Sequence, residues 1–302
     1  MAMESTVCDL CGADDYEVLF QGKDRMHHLP GVFPVVQCRR CRLVYLNPRP
    51  DSDTLGDYYP QTYSPYGPDV GTMGRLRFLL RKLEARRIGR LVYAGQRVLE
   101  IGCAAGDFLV RLRDDLGLDV AGIEMNPYAA NLAHERHGLE VHAGTLFDAP
   151  FFPESFNVVV MRHVIEHFPS ASQALQAIAS LLKPGGLVYL ITPNYDCIDR
   201  RLFGRFWHDY DTPRHLAVFS VATLEKLLTD NGFEMREVSH SLVPNSWINS
   251  TKNLLEERFG WFGPARWLAL NNPIALALFL PLSVAQKLFS KSGRIRVVAV
   301  KK

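Results

Sequence analysis

Val98-Leu99-Glu100-Ile101-Gly102-Cys103-Ala104-Ala105-Gly106-Asp107-Phe108 is an apolar run closed by an acidic residue and a loop of small residues. A short apolar run bounded by glycine reads as a buried strand, and the pattern after Asp107 reads as a helix. Glycines let a backbone approach a ligand closely, and the helix start beyond them favours an anionic group. The dinucleotide pattern Gly-x-Gly-x-x-Gly does not fit, because its third glycine would fall at Asp107.

The same texture continues outward. Strands are expected at Arg97–Ile101, Asp119–Glu124, Glu140–Ala143, Asn157–Met161, Leu187–Thr192, Glu234–Ser241 and Ile295–Val300, with helices at Ala171–Leu182 and Val221–Asp230. Strand–helix alternation means a parallel sheet in an α/β fold. Upstream, residues 73–94 have apolar positions at helical spacing among many arginines, so an amphipathic helix is expected there. Residues 1–50 form a Cys-, Pro- and Gly-rich unit with strand-like runs at Tyr16–Phe20 and Val32–Gln37. Residues 51–95 are read as an aromatic linker plus that helix, and 96–302 as the main domain, with a helical insertion at about 243–292.

Composition bounds the rest. The chain has 302 residues, of which 47% are hydrophobic, enough for a sizeable core. A formal net charge of +2 gives no electrostatic case for a nucleic-acid partner. The start, Met-Ala-Met-Glu-Ser-Thr, lacks a basic region followed by an apolar run, so no signal peptide is expected. Two of the six cysteines, Cys103 and Cys197, stand alone; four form Cys8-x-x-Cys11 and Cys38-x-x-Cys41. Two such pairs can complete a tetrahedral zinc site, and four thiolates leave no open position, so a structural zinc is expected. Reduced cysteines suit a cytoplasmic protein.

Glu100-x-Gly102-x-Ala104-x-Gly106, with Glu124 in Gly122-Ile123-Glu124-Met125-Asn126-Pro127, resembles the class I (Rossmann-like) methyltransferases that use S-adenosylmethionine; Ala104 stands where the pattern has glycine. The resemblance spans residues 90–240. It implies that Glu100, Gly102, Cys103, Ala104, Gly106, Asp107 and Phe108 border the methionine part of the cofactor. Glu124, with Met125 and Asn126, would hold the ribose, and Thr145 and Leu146 would meet adenine. The run from Cys38 to Pro50, followed by Tyr58-Tyr59, resembles bacterial methyltransferases with an N-terminal zinc-ribbon-like segment, where Tyr63 would reach over the methionine end.

Two segments carry candidate chemistry. Arg162-His163-Val164-Ile165-Glu166-His167 follows the fourth strand, where His163 and His167 can share a helix face. Three readings stand: His163 or His167 as base, a divalent-cation site with Glu166, or a structural cluster with His163 lining the cofactor pocket. Further on, Arg200, Arg201, Arg205, Trp207, His208, Tyr210, Arg214 and His215 suit a phosphate-bearing or sugar acceptor, which guanidinium groups clamp and aromatics stack on. His215 is the first choice for the acceptor-side base. A charged loop held by Arg–Asp pairs is the rival for each residue.

Residues 261–289 include the apolar run Pro273–Ala285, which is shorter than the ~20 residues a spanning helix needs and is broken by Pro281. Core or homodimer packing is preferred; a lid and a peripheral membrane helix are the other readings. The expected activity is methyl transfer to oxygen or carbon of a small molecule, such as a nucleotide-linked or lipid-linked sugar. The rivals are a nucleic-acid methyltransferase with the zinc unit as reader, and a non-catalytic module that keeps the cofactor fold.

Overall fold

The computed structural model describes residues 2–59, 71–269 and 272–302. Its N-terminal elements are β1 (Met3–Glu4), β2 (Tyr16–Gly22), β3 (Phe33–Cys38), β4 (Val44–Leu46), β5 (Arg49–Pro50), α1 (Ser52–Leu55) and α2 (Gly71–Ile88). The alternating part follows as β6 (Arg97–Ile101), α3 (Asp107–Leu116), β7 (Asp119–Glu124), α4 (Pro127–His137), β8 (Glu140–Ala143), β9 (Phe156–Arg162), α5 (Ala171–Leu181) and β10 (Leu182–Pro193). Then come α6 (Ile198–Phe203), β11 (Ala217–Val218), α7 (Val221–Asp230), β12 (Phe233–His240), α8 (Pro244–Phe259), α9 (Phe262–Trp267), α10 (Pro273–Leu288) and β13 (Arg294–Lys301).

The main sheet has seven strands in the order β12-β13-β10-β9-β6-β7-β8. From β10 to β8 every pairing is parallel, while β13 runs antiparallel to both β10 and β12. The central strands are buried on both faces: Val98, Leu99 and Val158–Met161 are all but inaccessible. That is why they read as continuous apolar runs rather than alternating ones. Local signals start the helices. Asn126 caps α4 with Pro127 in its first turn, Ser170 caps α5, and Ser220 and Thr223 form a capping box on α7.

The class I sheet, the Cys-rich N-terminal part and the helical insertion are all present. Three details differ from expectation. The helix α2 stops at Ile88, short of residue 94, where Gly89, a poor helix former, follows. Pro281 does not interrupt α10; it lies exposed within the helix. Third, residue 50 does not bound a packing unit. The N-terminal sheet, β11-β4-β3-β2, takes its edge strand β11 from residues 217–218, far along the chain. Cys8 and Leu10 also share a core cluster with Leu175 and Phe219.

Candidate functional site

The cofactor loop leaves the carboxyl end of β6 through three residues in left-handed backbone conformation, Gly102 (φ 71°), Ala104 (φ 48°) and Gly106 (φ 78°). At Gly102 a Cβ would stand 2.7 Å from Val164 Cγ2, so the residue after His163 presses on the loop. Glu124, buried at the end of β7, accepts from the Ala104 N–H and the Asn126 N–H, both at 2.9 Å. The next residue, Met125, is 73% exposed and offers an apolar edge beside that carboxylate.

Glu100 is wholly buried. One oxygen accepts from Arg162 Nε and Nη2 at 2.9 and 2.8 Å; the other, Oε2, has no partner among the described residues. An orphaned buried carboxylate oxygen beside a glycine loop fits a cationic or N–H-bearing ligand, because leaving it unpaired is costly. The donor set therefore fits the methionine and ribose ends of S-adenosylmethionine.

Other motif residues serve the fold. Asp107 faces Arg81 and His137, 3.5 and 3.7 Å away. Phe108 lies buried under the Arg162 guanidinium, 3.9 Å from its ring centroid. The Cys103 thiol packs where a side chain at Gly122 would go. Thr145 gives its N–H and hydroxyl to Asp148, at 2.6 and 2.7 Å, and Leu146 is buried in the core. Tyr63 lies outside the described residues.

Beyond β9 the backbone does not form the expected helix. His163 takes φ 60°, and Ile165–His167 is a single 3-10 turn. His163 and His167 therefore share no helix face. Glu166 is buried at the centre: Oε1 lies 3.3 Å from His163 Nδ1 and 4.0 Å from His215 Nε2, and Oε2 accepts from Thr192 Oγ1 at 3.0 Å. Burial opposes ionisation of Glu166, but the His163 hydrogen bond and the neighbouring imidazoles hold it at about 2. Burial and the field of His215 push His167 down to about 4.

The histidines differ in access and tautomer. His167 Nδ1 lies 2.9 Å from both the Arg214 carbonyl oxygen and the Tyr59 hydroxyl; the carbonyl can only accept, so the bond to Arg214 is made when Nδ1 carries the proton. The same holds for His215 Nδ1, 2.7 Å from the Asp209 carbonyl. His163 gives its Nδ1 proton to Glu166, leaving Nε2 as its basic nitrogen. The His163 side chain is 35% exposed, against 9% for His215. Burial and nearby Arg294 hold His163 below the ordinary histidine range, against the pull of Glu166. One ligand atom each from Glu166, His167 and His215 lie within 4.8 Å of one another; His163 is not in that set.

The expected arginine clamp is mostly used by the fold. Arg214 is buried between Asp211 and Asp24, at 2.6 and 2.7 Å. Arg200 donates to the Tyr195 carbonyl and stacks on its ring, and Arg205 lies over Phe206 and 4.0 Å from Glu257. Sequence reasoning missed Asp24, Thr192 and Arg294. Only Thr192 had a signal, its place at the carboxyl end of a strand. Arg294 pairs with Pro193 across β13 and β10, and its side chain has no hydrogen bond or ion pair among the described residues.

The four N-terminal cysteines converge. Their sulfurs lie within 4.8 Å of one another, with Cys8–Cys41 at 3.4 Å and Cys11–Cys38 at 3.5 Å. Sulfurs ~2.3 Å from a tetrahedral zinc stand ~3.8 Å apart, so the cluster fits that ion.

A glycine loop on β6, an acid on β7 and a His–Glu pair beyond β9 define a class I S-adenosylmethionine-dependent methyltransferase. The chain belongs to the methyltransferase domain family, whose model matches residues 74–238. It is 38% identical over 109 residues to the ubiquinone biosynthesis O-methyltransferase of Paraburkholderia phymatum, covering 33% of this chain and 45% of that one. It is 28% identical over 153 residues to O-methyltransferase resE of Aspergillus sclerotiorum, covering 48% and 57%. The chain thus spans about half the length of these curated relatives.

Among solved structures, Haemonchus contortus phosphoethanolamine N-methyltransferase 2 with S-adenosyl-L-methionine superposes with a TM-score of 0.54 at 17% identity, over 85% of this chain and 62% of that one. The cyclase SpnF superposes equally well, at 0.54 and 17%, over 84% and 97%. At such identity the likeness establishes the fold alone.

Proposed function

We propose that the chain transfers a methyl group from S-adenosylmethionine to a hydroxyl oxygen of a small acceptor, with His163 as base. The carrying observation is the His163–Glu166 hydrogen bond, set beside the cofactor loop by the Val164–Gly102 contact. Bound S-adenosylmethionine supplies a methyl group already activated on sulfur, so the protein must align the acceptor and accept its proton.

Glu124 would hold the ribose, and Glu100 would take the methionine ammonium. Glu166 fixes the His163 ring with Nε2 open to the acceptor hydroxyl, and the low basicity of His163 keeps it neutral near pH 7. His215 and His167, tied to main-chain carbonyls behind Glu166, position it. The names of the curated O-methyltransferases support oxygen as the acceptor atom. If the acceptor is a nucleotide- or lipid-linked sugar, Arg294 is the cation placed to meet its phosphate. The four cysteines hold a structural zinc in this reading.

The test is methyl transfer from labelled cofactor to phenolic and sugar hydroxyls, beside calorimetry of cofactor binding. Binding that weakens in Glu124→Ala, with turnover lost in His163→Ala, is expected. Absence of cofactor binding would return the chain to the non-catalytic reading.

A further inference from the structure

The helix α10 is amphipathic in the reverse sense. Its inward positions are Ala275, Phe279, Ser283 and Gln286, two of them polar. Its outward positions include Ile274, Leu278, Leu282 and Leu288, exposed by 63, 60, 42 and 78%. Burial normally sorts such residues the other way.

The orientation is fixed by hydrogen bonds. Ser283 Oγ accepts from the Val243 N–H at 2.6 Å. Gln286 accepts from Trp247 Nε1 and donates to Asp199 Oδ1, both at 2.7 Å. Rotating the leucines inward would break all three. Earlier in the same insertion, Trp261, Phe262 and Trp267 are also about half exposed or more.

The stretch of sequence that carries this helix holds charge of one sign. From Arg258 to Lys291 the sequence holds four cations, Arg258, Arg266, Lys287 and Lys291, and no Asp or Glu; all four are exposed. A two-fold interface would set this surface against its own copy, like charge against like. An exposed apolar row on a helix whose last turn and following turn carry the exposed cations Lys287 and Lys291 matches an anionic bilayer interface instead. No helix among the described residues is long and apolar enough to cross a membrane, so the helix lies in the interface plane.

We propose that the outward face of α10 is a docking surface for a lipid bilayer containing anionic phospholipid. The proposal stands apart from the identity of the acceptor. It moves the surface from the expected core or homodimer packing to the peripheral membrane reading.

The test is flotation of the full chain with vesicles of phosphatidylcholine containing about a third phosphatidylglycerol. Binding is expected, weakening with salt and with pure phosphatidylcholine. The variants Leu278→Glu with Leu282→Glu, and Lys287→Glu with Lys291→Glu, should each weaken binding by about tenfold or more. Their thermal unfolding and cofactor binding should be unchanged, since these side chains are exposed. No flotation, or equal binding to both vesicle types, overturns the proposal. A stable dimer dissolved by Leu278→Glu with Leu282→Glu also overturns it, and assigns the face to a second copy.

Discussion

Arg214 Nη2 stands 2.7 Å from Asp24 Oδ1, and neither side chain reaches solvent. The pair joins the N-terminal part to the segment that carries His215. Its geometry is reinforced on both sides: Asp211 takes Arg214 Nη2 at 2.6 Å, and Asp24 accepts from the Met26 and His27 N–H groups at 3.0 and 3.1 Å. Removing Arg214 leaves Asp24 buried without its cation, and breaking a buried pair in this way costs about 3–5 kcal/mol; removing Asp24 leaves Arg214 still held by Asp211. Arg214→Met should lower stability by about that much in urea unfolding, and Asp24→Ala by less. Combining the two should cost less than the sum of the single changes; an additive result would show the pair to be uncoupled.

The base assignment separates the histidines. His163→Ala should reduce kcat by about 10²–10⁴-fold while leaving cofactor affinity near its starting value. Glu166→Gln keeps the volume but weakens control of the ring, so it should lower kcat and shift the acid limb of the pH–rate profile. In the parent protein that limb should fall below the ordinary histidine range, because burial and Arg294 disfavour the His163 cation. Equal activity of His163→Ala and the parent would remove His163 from the chemistry.

The sheet was readable because buried parallel strands carry their burial in the sequence. Arg97–Ile101, Asp119–Glu124 and Glu140–Ala143 match the observed strands residue for residue. The glycine loop was readable because left-handed backbone favours small residues. The two-residue strand β11 was not, since its partner Val44–Tyr45 is remote in sequence. The role of Arg214 was hidden for the same reason: Asp24 is 190 positions away. The i, i+4 spacing of His163 and His167 misled, because the backbone reverses at His163 before any helix can form. The leucines of α10 misled too, as apolar character alone does not say which way a helix faces.

Ala104 occupies φ 48°, where a Cβ costs about 1–2 kcal/mol. Glycine relieves that strain but loses more chain entropy on folding, about 0.5–1 kcal/mol. Ala104→Gly should therefore stabilise the fold by about 0.5–1 kcal/mol, and the Ala104 N–H donated to Glu124 is retained. A thermal melt checks it; a lower melting point would mean that the loop packs on the Ala104 methyl group.

Acid should unfold the protein in two stages. In the unfolded chain His167 takes a proton near 6.5, but in the folded state only near 4. Protonation then favours unfolding, so stability falls as pH drops between those values. Glu166 ionises near 4.5 when unfolded and near 2 when folded. Its contribution is present above the unfolded value and is lost as pH falls toward 2. Urea midpoints across this range should decline in both windows. In His167→Gln the upper decline should shrink, because the titrating group is gone.

The zinc prediction turns on what the four cysteines hold in place. Asp9, between Cys8 and Cys11, accepts from Ser170 Oγ at 2.5 Å and the Ser172 N–H at 3.1 Å, at the start of α5. The knuckle therefore docks on the helix that follows the His–Glu turn. Without a metal, the thiolates lose the ion that makes their close approach favourable, and this docking loosens. Freshly purified protein should contain about one zinc per chain. Chelation, or Cys38→Ser, should lower the melting temperature and speed proteolysis within residues 1–50 first. Because β11 completes the N-terminal sheet, turnover should fall as well, while the cofactor loop on β6 keeps its affinity. A metal-free protein of unchanged stability would sink the zinc assignment and leave the His163 chemistry untouched.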